Sequence, residues 1–187
     1  MGKTIISLLL FAVVSISCNN AEKEIDKVEI AKQYFEVLDN SDYAKMSDWF
    51  ADSLKTIEGE HKSVYSKTEY LEFLKWDFVF DPDYEILEIE QKDGMVKARI
   101  SKTDKRISFL HEKPFITNQT LRFQKDKIIS VEIDYVNFDF PTWEKNKNRL
   151  LSWIDKNHPE LNGSINDLTA DGGMKLLQAI ELYKDRK

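Results

Sequence analysis

Cys18 is the only cysteine among the 187 residues, so any thiol chemistry in this chain belongs to it. It follows a basic residue at Lys3, an apolar stretch from Ile5 to Ile16 and the small-residue run Ser15-Ile16-Ser17, the order of a secretory signal. The apolar stretch is too short to span a bilayer. Cleavage after Ser17 puts Cys18 at the new N-terminus, either lipidated or left as a free thiol. An unpaired thiol is a liability in an oxidising compartment, which favours lipidation, and a lone cysteine can form no internal disulfide. His61, His111 and His158 lack metal-ligand spacing, and His111-Glu112 lacks the second histidine of a zinc-protease helix, so no metal is expected. No serine stands in a nucleophile elbow, Asp171-Gly172-Gly173 reads as a cap and turn, and no cofactor is implied. Two polar residues stand out instead. Thr117 and Gln119 alternate with Phe115, Leu121 and Phe123 on one strand face, where polar groups must find partners. A cavity holding water or ligand supplies them, and so does a helix terminus bonded by Gln119.

Charge and composition exclude several function classes. The chain carries a formal charge of −6, which becomes −7 when Met1 to Ser17, with Lys3 and no acid, is removed. No basic stripe with interleaved aromatics appears, so nucleic acid is not an expected partner. With 42% hydrophobic and 12% aromatic residues, the mature chain should bury one core. The expected organisation is a signal peptide over 1–17, a lipidated tether over 18–24, a main domain over 25–140 and a two-helix extension over 141–187 packed on it.

The elements that must position these residues follow from periodicity. Val28, Ala31, Phe35 and Leu38 recur at helical spacing and predict a helix over 25–39. Ser41 or Asp42 can cap a second, short helix with Tyr43, Met46, Trp49 and Phe50 buried. Leu54 to Glu58 reads as a strand, Gly59 to Tyr65 as a polar stretch, and Ser66 to Glu69 as a capping box opening a third helix with Tyr70, Phe73, Leu74 and Phe78 inward. From Tyr84 the period becomes two, and Asp93-Gly94 marks a hairpin. Counting outward pairs Gln91 with Val96, Ile89 with Ala98 and Leu87 with Ile100, while Glu90–Lys97 and Glu88–Arg99 pair on the outer face.

A second hairpin joins Pro114–Gln124 to Ile128–Val136. A three-residue loop, Lys125-Asp126-Lys127, gathers Phe115, Leu121, Phe123, Ile129, Val131, Ile133 and Tyr135 on one face together with Thr117 and Gln119. Arg106 to His111 reads as strand continuation or as an exposed apolar rim. Trp143, Leu150, Leu151 and Ile154 mark a helix ended by Pro159, and Met174, Leu177, Ile180 and Tyr183 mark another.

Two resemblances add to this reading. Ser15-Ile16-Ser17-Cys18 resembles the lipobox of bacterial lipoproteins, which implies a lipid on Cys18, a membrane anchor and a place in the cell envelope facing periplasm or surface. The segments Lys32-Gln-Tyr-Phe-Glu-Val-Leu-Asp-Asn-Ser-Asp42 and Trp49-Phe-Ala-Asp-Ser-Leu-Lys-Thr-Ile-Glu58 resemble the nuclear transport factor 2-like superfamily, in its ketosteroid isomerase and SnoaL-like branch. The resemblance implies an α+β fold: a cone-shaped, curved antiparallel sheet wrapped around N-terminal helices, here with a C-terminal helical extension.

It also implies site residues. Tyr34 falls where the isomerases have their oxyanion-donating tyrosine, Glu58 where they have the aspartate base, and Gln119 where they have a protonated aspartate. Glutamate thus replaces the base, Gly59 stands where proline is common, and the second acid is absent. Two functions follow: a non-catalytic module binding a small apolar ligand or a protein, with Phe115, Thr117, Leu121, Phe123, Val131, Ile133 and Tyr135 as lining, or a cofactor-independent isomerase, dehydratase or cyclase. A homodimer through the sheet is a third expectation.

Overall fold

The structure is a computed structural model that describes residues 26–186. The signal segment, Cys18 and the whole of the tether lie outside the described residues. Helix α1 spans Lys27–Asn40, with the Asp26 carboxylate accepting from the Glu29 amide at its start and Ser41 in the left-handed conformation at its end. Ser41 therefore closes α1 and does not open the next helix. A single turn, α2 (Tyr43–Met46), and a 3₁₀ turn lead into β1 (Phe50–Glu58), which begins at Phe50.

The stretch read as polar loop is in fact β2 (His61–Ser66), paired antiparallel with β1 through a tight turn in which Gly59 takes φ +58°. Its exposed residues carry little hydrophobic alternation, which hid it. The Ser66/Glu69 capping box is formed at the start of α3 (Lys67–Phe78).

Strands β3 (Asp83–Lys92) and β4 (Met95–Thr103) pair around Asp93-Gly94 with Gln91 opposite Val96 and Ile89 opposite Ala98, as the alternation predicts. Beyond Glu88 the register changes. A bulge leaves Leu87 unpaired and 41% exposed, so Ile86 rather than Leu87 faces Ile100. The same shift sets Tyr84, not Glu85, opposite Lys102.

Residues 105–110 form a short helix, α4 (Lys105–Leu110), rather than strand or rim. Asp104 caps it, and Ile107 and Leu110 are fully buried. Strands β5 (Phe115–Gln124) and β6 (Lys127–Tyr135) turn through two residues, not three. A bulge at Ile129 then restores the offset, so Leu121–Val131, Gln119–Ile133 and Thr117–Tyr135 pair as hydrophobic consistency requires. Ile128 takes the buried place expected of Ile129.

The sheet runs β2-β1-β6-β5-β4-β3, open at both edges, and β1 lies parallel to β6 while the other neighbours are antiparallel. It is therefore mixed. Its concave face closes over α1 and α3 around Phe35, Leu38, Phe50, Leu54 and Ile100. Helices α5 (Phe140–Asn157) and α6 (Ala170–Lys184) enclose a second cluster in which Trp76 and Phe80 meet Leu150, Ile154, Leu176 and Ile180. Asp171-Gly172-Gly173, read as a cap and turn, lies inside α6: Thr169 is the cap, and both glycines lie in the first turn of the helix. Met174, expected inward, is exposed, and Leu176 and Ala179 take the buried stripe.

Candidate ligand-binding cavity

The sheet and the helices α1 and α3 leave between them a cavity of about 260 Å³. On the sheet side its wall is the rung Gln119–Ile133–Glu58 across β5, β6 and β1, followed by Thr117–Tyr135 and then by Phe115 with Lys102 of β4. Paired residues of neighbouring strands share a face, so Glu58 points to the concave side with Gln119. Opposite stand Tyr34 and Leu38 from α1 and Tyr70, Phe73, Leu74, Trp76 and Asp77 from α3. Leu168, from the loop before α6, reaches the rim.

Tyr34, Glu58 and Gln119, which are far apart in sequence, border this one cavity, as do Phe115, Thr117, Ile133 and Tyr135. Leu121, Phe123 and Val131, expected as lining, do not. They lie away from the cavity along β5 and β6 and pack into the core, where Leu121 and Val131 are fully buried. Each polar group of the expected constellation already has a partner. Tyr34 and Tyr70 share a hydrogen bond between their hydroxyls at 3.1 Å, and burial pushes the Tyr34 phenol up to about 12. Gln119 Nε2 donates to Thr117 Oγ1 at 3.2 Å. Tyr135 donates to Glu58 Oε1 at 2.5 Å. Desolvation, followed by the adjacent carboxylate, raises the Tyr135 phenol well above its ordinary value.

Periodicity and resemblance missed a second polar cluster on the same cavity. Asp77 is buried and holds Lys102 Nζ at 2.6 Å, while Tyr84 donates to its other oxygen at 3.0 Å. Burial alone would raise the Asp77 pKa, but the Lys102 and Arg106 cations and the two hydrogen bonds outweigh it and hold the carboxyl below 3.8. Arg106 lies over the Trp76 ring, 4.6 Å from its centroid, and donates from Nη2 to Asp104 at 3.2 Å. One signal could have found Asp77: it follows Tyr70, Phe73 and Leu74 at helical spacing, an acid on an inward stripe. Lys102 and Arg106 carried no such mark.

The open six-stranded sheet packed over two helices, with the cavity between them, is the decisive observation. The chain has the nuclear transport factor 2-like fold. Solved structures similar to it include a SnoaL-like protein of the polyketide cyclase type from Shewanella putrefaciens, at 12% identity over 78% of this chain and 99% of that one, with a TM-score of 0.52. A ketosteroid isomerase-like protein from Kribbella flavida matches at 11% identity over 62% and 81%, also with a TM-score of 0.52. A nuclear transport factor 2-like protein of unknown function from Cytophaga hutchinsonii matches at 8% identity over 62% and 94%, with a TM-score of 0.50. No family model and no curated relative matches the chain. At these identities the likeness establishes the nuclear transport factor 2-like fold, which hosts unrelated activities.

Proposed function

We propose that this chain is a lipid-anchored binding module of the cell envelope whose cone cavity holds a small molecule without transforming it. The observation that carries the reading is the state of the three polar groups that a proton-transfer mechanism would need. Glu58 is exposed and already accepts a hydrogen bond from the Tyr135 hydroxyl, so its carboxylate is not free to face a substrate proton. Tyr34 and Gln119 are committed to Tyr70 and Thr117. What remains is an aromatic chamber with a few fixed polar points, the usual make-up of a small-molecule site.

Thermal-shift screening of small aromatic and aliphatic compounds tests this. Binders should raise the melting temperature of the wild type and have no effect on Thr117→Phe, which fills the chamber. Equal shifts in both proteins would place binding elsewhere and refute the cavity reading.

The anchor rests on the lipobox-like Ser15-Ile16-Ser17-Cys18. In a bacterial host, fatty-acid label should enter the wild type and be absent from Cys18→Ser. Label retained in that variant would refute lipidation at this site.

A second reading is favoured by one fact, that Glu58, Tyr34 and Gln119 border the same cavity. It makes the domain an isomerase, dehydratase or cyclase with Glu58 as base and the other two as donors to a developing oxyanion. A turnover that survives intact in Glu58→Gln disposes of it.

A further inference from the structure

Arg106 is held in place by more contacts than it needs and bonded by fewer than it can make. Its side chain is only 14% exposed and lies against Trp76, with Phe80 5.3 Å and Trp143 5.9 Å from its guanidinium carbon to their ring centroids. Of its five N–H bonds, the one hydrogen bond made to a described residue runs from Nη2 to Asp104. The same nitrogen stands 3.8 Å from Asp77. Nε is buried with no partner among the described residues, and so is the indole nitrogen of Trp76. Both side chains border the cavity. A buried guanidinium with unused donors, beside a space large enough for a ligand, calls for an acceptor that the protein does not supply.

The neighbouring charges narrow what that acceptor is. Lys102 and Arg106 face Asp77 and Asp104, so the cluster is neutral, and Lys102 is already engaged by both oxygens of Asp77. A dianion would be repelled by two carboxylates. A single carboxylate can be received by the guanidinium, whose planar fork matches its two oxygens. The rest of the chamber, walled by Tyr34, Tyr70, Phe73 and Phe115, suits a flat apolar body. At about 30 Å³ for each water-sized portion, 260 Å³ accommodates roughly nine such portions, the scale of one ring with a short side arm.

We propose that the cavity binds a small apolar monocarboxylic acid, with Arg106 receiving the carboxylate and the aromatic walls the body. The inference rests on the reading of the cavity as a small-molecule site. Its test separates the two claims by comparing acid and amide of the same shape, phenylacetate with phenylacetamide and octanoate with octanamide, titrated calorimetrically into the full-length protein at neutral pH. The acids should bind at least about tenfold more tightly than their amides. Arg106→Gln should bring each acid down to the level of its amide and leave the amide's affinity unchanged, which also shows that the variant retains its chamber.

In the wild type, acid but not amide should shift the Arg106 Nε–H and Trp76 Nε1–H resonances, a readout that stands if the variant fails to fold. Amides that bind as well as the acids would overturn the proposal and leave the cavity reading in place. If neither acid nor amide binds, both fall.

Discussion

Asp77 shows how one residue on an apolar helix stripe can set the character of a site. It is buried, and its cost in desolvation is offset only by Lys102, Arg106 and Tyr84 around it. Removing the charge leaves Lys102 without its close partner in the interior. Asp77→Asn should therefore lose about 3 kcal/mol at neutral pH, read by urea denaturation. The folded-state pKa of Asp77 is depressed, so its contribution is complete above the unfolded value near 3.9 and vanishes as pH falls through the lower folded value. The acid limb of the stability curve should accordingly be shallower in Asp77→Asn than in the wild type.

Tyr34 acts at the other end of the scale. Burial raises its folded pKa from 10.0 to about 12, so stability should decline as pH rises from 10 towards 12. Tyr34→Phe should lessen that decline, measured by chemical denaturation across this range.

At the scale of elements, the register of both long hairpins was legible near their turns and lost where a bulge intervened. Asp93-Gly94 and strict alternation suffice for Ile89 opposite Ala98. Nothing in alternation announces that Leu87 is extruded, because the residue after it resumes the pattern. The extrusion matters to the site, since it brings Tyr84 rather than Glu85 to Lys102 and the cavity. Residues 105–110 became a helix because Asp104 caps them and Ile107 and Leu110 find buried places, a tertiary reward invisible in six residues.

In α6 the two glycines look like a break, yet they are demanded by contact. A Cβ on Gly172 would lie 2.2 Å from the Asp167 carbonyl oxygen, and one on Gly173 would lie 3.1 Å from the Trp76 ring. Gly172→Ala should destabilise the protein by about 1–3 kcal/mol despite its gain in helix propensity, a sign that thermal denaturation will show.

At the scale of the whole molecule, α5 and α6 complete the interior that α3 leaves open. Trp76 and Phe80 are buried against their apolar faces, and Leu168 from the same segment borders the cavity. A chain ending before Phe140 would expose that surface. Such a truncation should bind a hydrophobic dye strongly and unfold without a cooperative transition, whereas the full-length protein should show one.

The sequence by itself determined the longer helices α1, α3, α5 and α6, the two long hairpins and most of the residues that alternate onto one face, because these depend on spacing within a few turns or strand lengths. Fold resemblance supplied the α+β class and brought Tyr34, Glu58 and Gln119 to notice. Only the tertiary structure decided that β1 runs parallel beside β6, that Leu121, Phe123 and Val131 pack below the cavity rather than around it, and that Asp77, Lys102 and Arg106 meet at its polar end. Those facts depend on which distant segments fill the same volume, and no local period records a competition for space between residues far apart in the chain.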